Sequence, residues 1–172
     1  MASVPARRAP DRDAPALRPP EPGDLGWIVE RHGALCAREF GWDVTFEARC
    51  ARLVAAFAED HHPFLERVWI AERGGARAGC VMCVRDTAPS TARLRLLLVE
   101  PWARGRGLGR LLLTECLGFA RGVGYRAVVV RTQKAQVAAE RLAREAGFVR
   151  GAEKHRPGYG GELVGQDWHL VL

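Results

Sequence analysis

The chain has 172 residues, 48% of them apolar, and a formal net charge of +6. That length supports one domain with a sizeable core, and the absence of a long uncharged apolar run excludes a helical membrane span. The arginines are scattered and usually sit beside Asp or Glu, a pattern that favours local phosphate binding over a nucleic-acid-binding face. Met1 to Pro22 is rich in Pro, Ala, Arg and Asp and has no apolar core segment of a signal peptide. The expectation is a cytoplasmic protein with a disordered lead over residues 1–15 and one domain over residues 16–172.

Taken in order, Ala16-Leu17-Arg18 reads as a short opening strand. Asp24 is placed to cap a helix with an apolar face of Leu25, Ile28, Val29 and Leu35, and Gly41 is placed to end it. His32 shares that face and reads as a satisfied histidine at the core edge. A second helix, opened by Asp43 or Thr45, carries Phe46, Cys50, Leu53, Val54 and Phe57 and closes before Pro63. His61 and His62 are adjacent on the loop after it, so their rings splay apart and read as surface.

Strands are expected at Val68–Glu72 and Arg77–Asp86, joined through Gly74-Gly75, and then at Thr91–Val99. Cys80-Val-Met-Cys83 has C-x-x-C spacing, but on a strand residues three apart face opposite ways, so the two thiols read as buried and separate. No second cysteine pair is present to complete a zinc site, and no metal is expected. A helix follows from Leu108 through Leu112, Cys116 and Ala120 to Gly122, then a strand at Arg126–Arg131. Ala135, Ala138, Leu142 and Ala146 mark another helix, closed by Gly147. Phe148–Glu153 and Gln166–Leu172 read as a last strand pair around a Gly-rich loop, His155–Gly165.

The sharpest signal lies between the strand ending at Val99 and the helix opening at Leu108. Glycines at 105, 107 and 109 clear side chains from the backbone and permit positive φ, and the N–H groups of a helix start form an anion site. Arg104, Arg106 and Arg110 add cationic charge, so a pyrophosphate is the natural guest. A Walker loop would end in Gly-Lys-Ser/Thr, whereas Leu108-Gly109-Arg110 stands here. A dinucleotide fingerprint would read G-x-G-x-x-G and want an acidic residue ending the next strand, where Arg131-Thr132 stand.

Val99-x-Pro-x-x-Arg-Gly-x-Gly-x-Gly109 resembles the pyrophosphate loop of the GNAT superfamily of N-acyltransferases. Ala139–Phe148 and the order β-α-α-β-β-β-α-β-α-β-β extend the resemblance over residues 16–172. Arg31–Asp43 and Gly161–Trp168 resemble, more narrowly, the acyltransferase half of bacterial proteins that fuse it to a MarR-type winged helix. That winged helix has no counterpart in this sequence, so no DNA-binding role is implied.

The resemblance implies a single α/β domain with a mixed, mostly antiparallel sheet, splayed at the acyl-CoA site and carrying helices on both faces. It implies acetyl-CoA as co-substrate and a small primary amine as acceptor, joined by direct attack in a ternary complex. Leu97, Leu98 and Val99 would then offer backbone groups to the pantetheine arm. Arg104, Gly105, Arg106, Gly107, Leu108, Gly109 and Arg110 would hold the pyrophosphate, mainly by main-chain N–H. Gln136 or Gln133 stands where the family has an Asn, and Ala139 joins the same cofactor-binding set. Homodimers are common for the fold, an analogy only.

Two departures bear on mechanism. Relatives with Leu-Tyr before Gly-Phe use the Tyr to protonate the thiolate; here Leu142-Ala143 stands, leaving Tyr159, His155 or water. Relatives with a base carboxylate on the strand before the loop find Arg93 and Arg95 there, and neither is a base. Glu39, at the turn between the first two helices, is the carboxylate expected to orient the ammonium or relay its proton. Arg95 is either a clamp for an acidic group of the substrate or a solvated strand-edge arginine. Trp42 and Trp102 are candidates to wall the acceptor pocket. The rival reading from another class is a non-catalytic acyl-CoA-binding sensor, which would bind acetyl-CoA without releasing CoA.

Overall fold

The computed structural model describes residues 13–172. Most of the expected lead, residues 1–12, lies outside them. The elements in order are β1 (Ala16–Arg18), α1 (Asp24–Phe40), α2 (Val44–Asp60), β2 (Arg67–Arg73), β3 (Ala76–Arg85), β4 (Thr91–Val99), α3 (Leu108–Gly122), β5 (Ala127–Gln133), α4 (Val137–Glu145), β6 (Val149–Gly158) and β7 (Gly161–Val171), with a single 3-10 turn at Pro101–Ala103. The seven strands form one sheet in the order β1-β2-β3-β4-β5-β7-β6. β4 and β5 run parallel, and the other five neighbouring pairs run antiparallel.

Strand alternation sends side chains to two cores. Ile70, Cys80, Met82 and Leu98 pack with Ile28 and Leu35 of α1 and Val54 of α2. Val81, Cys83, Leu94, Val128 and Trp168 pack with Leu108, Leu112, Leu113 and Cys116 of α3 and Ala143 of α4. Cys80 and Cys83 therefore enter different cores, as strand geometry demands. All five cysteines are free and buried.

Several local expectations meet the structure with instructive differences. Gly74 and Gly75, at φ +59° and +78°, make the two-residue turn between β2 and β3. Asp43 caps α2, its carboxylate accepting the Thr45 N–H at 2.9 Å. Asp24 does not cap α1: Gly23 holds that position in the left-handed region. The Asp24 carboxylate, fully buried, instead accepts the Glu21 N–H and pairs with Arg18 of β1 and Arg77 of β3. Burial alone would raise its pKa, but the hydrogen bonds from Arg18 and Glu21 and the two guanidinium charges outweigh that and hold it below the usual range.

The largest difference is at the C-terminal end. The expected loop at His155–Gly165 is strand: β6 and β7 pair from Val149 to the turn at Tyr159-Gly160, where both residues have positive φ. β6 is an edge strand with almost every residue exposed, so its sequence shows no burial alternation, and an edge tolerates Pro157. Glycines that read as loop are turn and strand residues.

Candidate active site

β4 and β5 pair only from Thr91–Leu94 to Ala127–Val130. Beyond those residues β5 continues to Gln133 paired with β7 alone, and β4 runs on to Val99 paired with β3 alone. The facing backbone edges of the two strands are thus left apart. A bulge in β4 marks the same place. Cys80 pairs with Leu98 and Met82 with Arg95, so Val81 faces both Leu96 and Leu97. Leu96 has φ +51°, a conformation costing about 1–2 kcal/mol for a branched side chain, and its carbonyl accepts the Cys80 thiol at 3.3 Å.

A cavity of about 390 Å³ fills the parting. Leu97, Gln133, Gln136, Ala139 and Ala143 line one end, beside the sheet and α4. His32, Trp42, Phe46, Arg49 and Cys50 of the α1–α2 unit line the other, with Arg156 and Tyr159 from the β6–β7 hairpin. Trp42 packs its ring 4.6 Å from Phe46 and 5.2 Å from Tyr159, and the Asp43 N–H donates to the Tyr159 carbonyl at 3.0 Å. The hairpin tip is thereby fastened to the start of α2.

The glycine loop lies at the end of β4. Gly105 and Gly107 have φ +75° and +78°, and a Cβ at either would meet nothing within 4 Å. Their need for glycine is conformational, in front of open space. Leu111 is the first α3 residue whose N–H reaches a carbonyl, that of Gly107 at 3.0 Å. The N–H groups of Leu108, Gly109 and Arg110 have no partner within the helix. Arg104 donates to the Val99 carbonyl at 3.0 Å and pairs with Glu39 at 2.8 Å. Arg106 lies 3.6 Å from Asp13, and Arg110 lies 2.8 Å from Glu145.

Of the other expected cofactor residues, Leu97 faces the cavity, Leu98 is buried toward α1 and α2, and Val99 packs toward α3. The Gln133 N–H donates to Gln136 Oε1 at 2.8 Å, while the Gln133 side-chain oxygen is buried without a partner. Glu39 is not brought to the acceptor side. It stands on the last turn of α1, outside the cavity lining, and its carboxylate is engaged by Arg104. Trp102 is likewise half exposed and away from the cavity. Tyr159 does line it, whereas His155 does not.

Besides Arg93 and Arg95, already singled out on the strand before the loop, the lining holds His32, Arg49, Arg85 and Arg156, which sequence patterning did not assign to a site. His32 is 5% exposed, so it lies in the core and not at its edge. Its Nδ1 bonds to the Ile28 carbonyl at 2.8 Å, and Nε2 has no partner. Burial pushes its pKa down to about 4 despite that hydrogen bond. Arg49, Arg85, Arg93, Arg95, Arg131 and Arg156 bring six guanidiniums to the lining, against one carboxylate, Asp86. The residue types were visible in the sequence; their convergence from α2, three strands and a hairpin was not.

Comparison with known proteins agrees with this geometry. Residues 24–148 match the Acetyltransferase (GNAT) family. An N-acetyltransferase of Schizosaccharomyces pombe is 27% identical over 130 residues, 76% of this chain and 77% of that protein. N-acetyltransferase family 8 member 2 of Rattus norvegicus is 31% identical over 125 residues, 66% of this chain but 54% of the relative. The structure of yncA from Salmonella typhimurium, solved with its cofactor acetyl-CoA, superposes with a TM-score of 0.71 at 24% identity, covering 92% of this chain and 94% of that one. A parted sheet beside a glycine loop and helix start, on this strand order, is an acetyltransferase-type fold. The chain belongs to the GNAT acetyltransferase family.

Proposed function

We propose that the protein transfers the acetyl group of acetyl-CoA to the primary amine of a small molecule, by direct attack with both substrates bound. The observation that carries this reading is the cavity itself. It runs from the parting of β4 and β5 to the aromatic wall, so a thioester arm entering from the loop side meets an acceptor within one enclosure.

The free N–H groups at the start of α3 would hold the diphosphate of acetyl-CoA, with Arg104, Arg106 and Arg110 around it. Their present carboxylate partners are solvent-exposed pairs of small energy and are readily exchanged for phosphate. Gln133 offers an unpaired amide oxygen and Gln136 an amide nitrogen to the amides of the pantetheine arm. The backbone of Leu97 to Val99, unpaired on its β5-facing side, supplies partners for the same arm and for the thioester carbonyl. Arg31–Asp43 and Gly161–Trp168 meet through Cys36, Trp42 and Leu163, with Tyr159 packed against them, which supports placing the acceptor beside this aromatic wall.

The proton balance follows from the charges. Asp86 is bonded to Arg93, so no free carboxylate lines the cavity among the described residues. The surrounding guanidiniums instead lower the pKa of an entering ammonium, and the amine then attacks in its neutral form after losing its proton to water. The same charges favour the departing thiolate, which weakens the need for the Tyr that Ala143 replaces. The Tyr159 hydroxyl is the donor to that thiolate. Five free cysteines fit a reducing, cytoplasmic setting.

The test is CoA release, read with a thiol reagent over a panel of small amines, beside an acetyl-CoA titration. Amine-dependent release is expected, and Gly107→Val is expected to weaken acetyl-CoA binding at least tenfold. Saturable acetyl-CoA binding with no release across the panel would overturn the catalytic reading in favour of a sensor.

A further inference from the structure

Resting on that acyl-transfer reading, we propose that the acceptor is an amine bearing a carboxylate and an apolar body, and that Arg95 seats its carboxylate. Along β4, Ala92 and Leu94 turn toward α3, so Arg93 and Arg95 turn toward α1 and α2, the acceptor side. Arg93 is already committed to Asp86. Arg95 is partly buried and has no ion pair among the described residues. It is not a solvated surface residue: it stands just past the last β4–β5 pair, at the parting of the strands, and is partly buried in the cavity lining.

Elsewhere this protein provides for its part-buried arginines. Arg18 and Arg77 share Asp24, Arg31 grips Glu100 with two bonds, and Arg93 holds Asp86. Arg95 and Arg49, both in the cavity lining, are the exceptions among the described residues, and Arg95 is surrounded by cations. Burial first, and then Arg93, Arg49 and Arg131, push its pKa down to about 10 against the weaker pull of Asp86. A guanidinium without a counter-ion in such a place is costly, and an entering oxyanion removes that cost.

Carboxylate fits better than phosphate here. A planar carboxylate meets one guanidinium fork with two parallel bonds, and Arg95 presents such a fork beside the bulge, with the unpaired Arg49 in the same lining to add charge. The same lining holds Trp42, Phe46 and Tyr159, a wall for an apolar or aromatic side chain. Arg95 directly precedes the bulge at Leu96-Leu97, so a carboxylate held there leaves an amine a few bonds away beside the parted strands. An amino acid with an apolar side chain has this shape.

The test uses matched acceptors: phenylalanine, leucine and β-alanine, each as free acid, as primary amide and as the simple amine lacking the carboxyl. The amides carry the less basic amine, which is neutral more often, so a preference for the acids cannot come from nucleophile ionisation. In the wild type, kcat/KM for a free acid is expected to exceed that of its amide at least tenfold. Arg95→Gln should collapse that ratio to about one while the KM for acetyl-CoA stays within twofold, and Arg95→Lys should restore part of it. Amides used as well as acids, or a ratio surviving in Arg95→Gln, would overturn the proposal while acyl transfer stands. Calorimetric titration of the acids, and separately of aminoalkyl phosphates, into the CoA-loaded protein keeps the two readings apart. Acids binding to wild type but not to Arg95→Gln, without turnover of any amine, would retain the anion site and reject acyl transfer. No binding of any acid, or tighter binding of the phosphates, would overturn the carboxylate site.

Discussion

Protonation of His32 provides a direct measure of how tightly the α1–α2 unit closes on the sheet. In the folded protein its ring is neutral, with Nδ1–H donating to the Ile28 carbonyl and Nε2 facing no donor. Its pKa falls from an ordinary 6.5 to about 4 because burial disfavours the imidazolium. A lowered value means that the unfolded chain binds this proton more readily than the folded one. Stability from this residue is therefore full above pH 6.5 and drains away as pH falls toward 4. At about 1.4 kcal/mol for each pH unit of that gap, the loss is about 3 kcal/mol. Urea unfolding of wild type and His32→Leu at pH 8, 6.5, 5 and 4 isolates it from the carboxylates, which both proteins share. The wild-type curve should fall about 3 kcal/mol further than that of the variant between pH 6.5 and 4. Parallel curves would refute the burial and with it the sealed α1–sheet contact.

Gly79→Ala should destabilise by about 2 kcal/mol, seen as a lower Tm, because its Cβ would stand 2.6 Å from the Leu98 carbonyl oxygen, a backbone atom that cannot turn aside; an unchanged Tm would contradict the close β3–β4 approach. Glu100→Gln breaks a two-bonded pair with Arg31 in which the carboxylate side chain is 6% exposed. It should cost about 3 kcal/mol in chemical denaturation, and a loss below about 1 kcal/mol would mean that the pair is solvated. Tyr159→Phe should lower kcat about tenfold or more with little change in either KM, and an unchanged kcat would remove the hydroxyl from the proton path. Glu39→Gln should move the KM for acetyl-CoA by no more than about threefold through Arg104, and a hundredfold fall in kcat would return that carboxylate to the chemistry.

Elements with a strong local code were readable from the chain. Thr91–Val99 is a strand with those very bounds, and the Gly74-Gly75 turn, the Asp43 cap and the Gly41 terminator stand where side-chain chemistry puts them. Reading failed where the deciding partner is distant. Asp24 has the chemistry of a cap, yet two arginines from other strands claim its oxygens. Glu39 stands outside the cavity lining, its carboxylate engaged by Arg104 from far along the chain. His32 could be placed on an apolar helix face, but not known to lack a donor for Nε2, since that depends on what α2 and the sheet bring against it. The β6–β7 hairpin was hidden for another reason. An exposed edge strand need not alternate, so Pro157 and the glycines at 158, 160 and 161 outweighed a pairing visible only in three dimensions.

The two ends of the chamber have unequal histories along the polypeptide. Everything around the thioester end, from β4 through α4, is one unbroken run of chain. The opposite wall is assembled from residues near 42 and near 159, fastened at the tip by a main-chain bond from Asp43 and by ring packing. Substitutions in the tip can therefore accumulate without disturbing the loop at the start of α3, and grafting a foreign β6–β7 turn that keeps Tyr159 is the economical route to retargeting this scaffold.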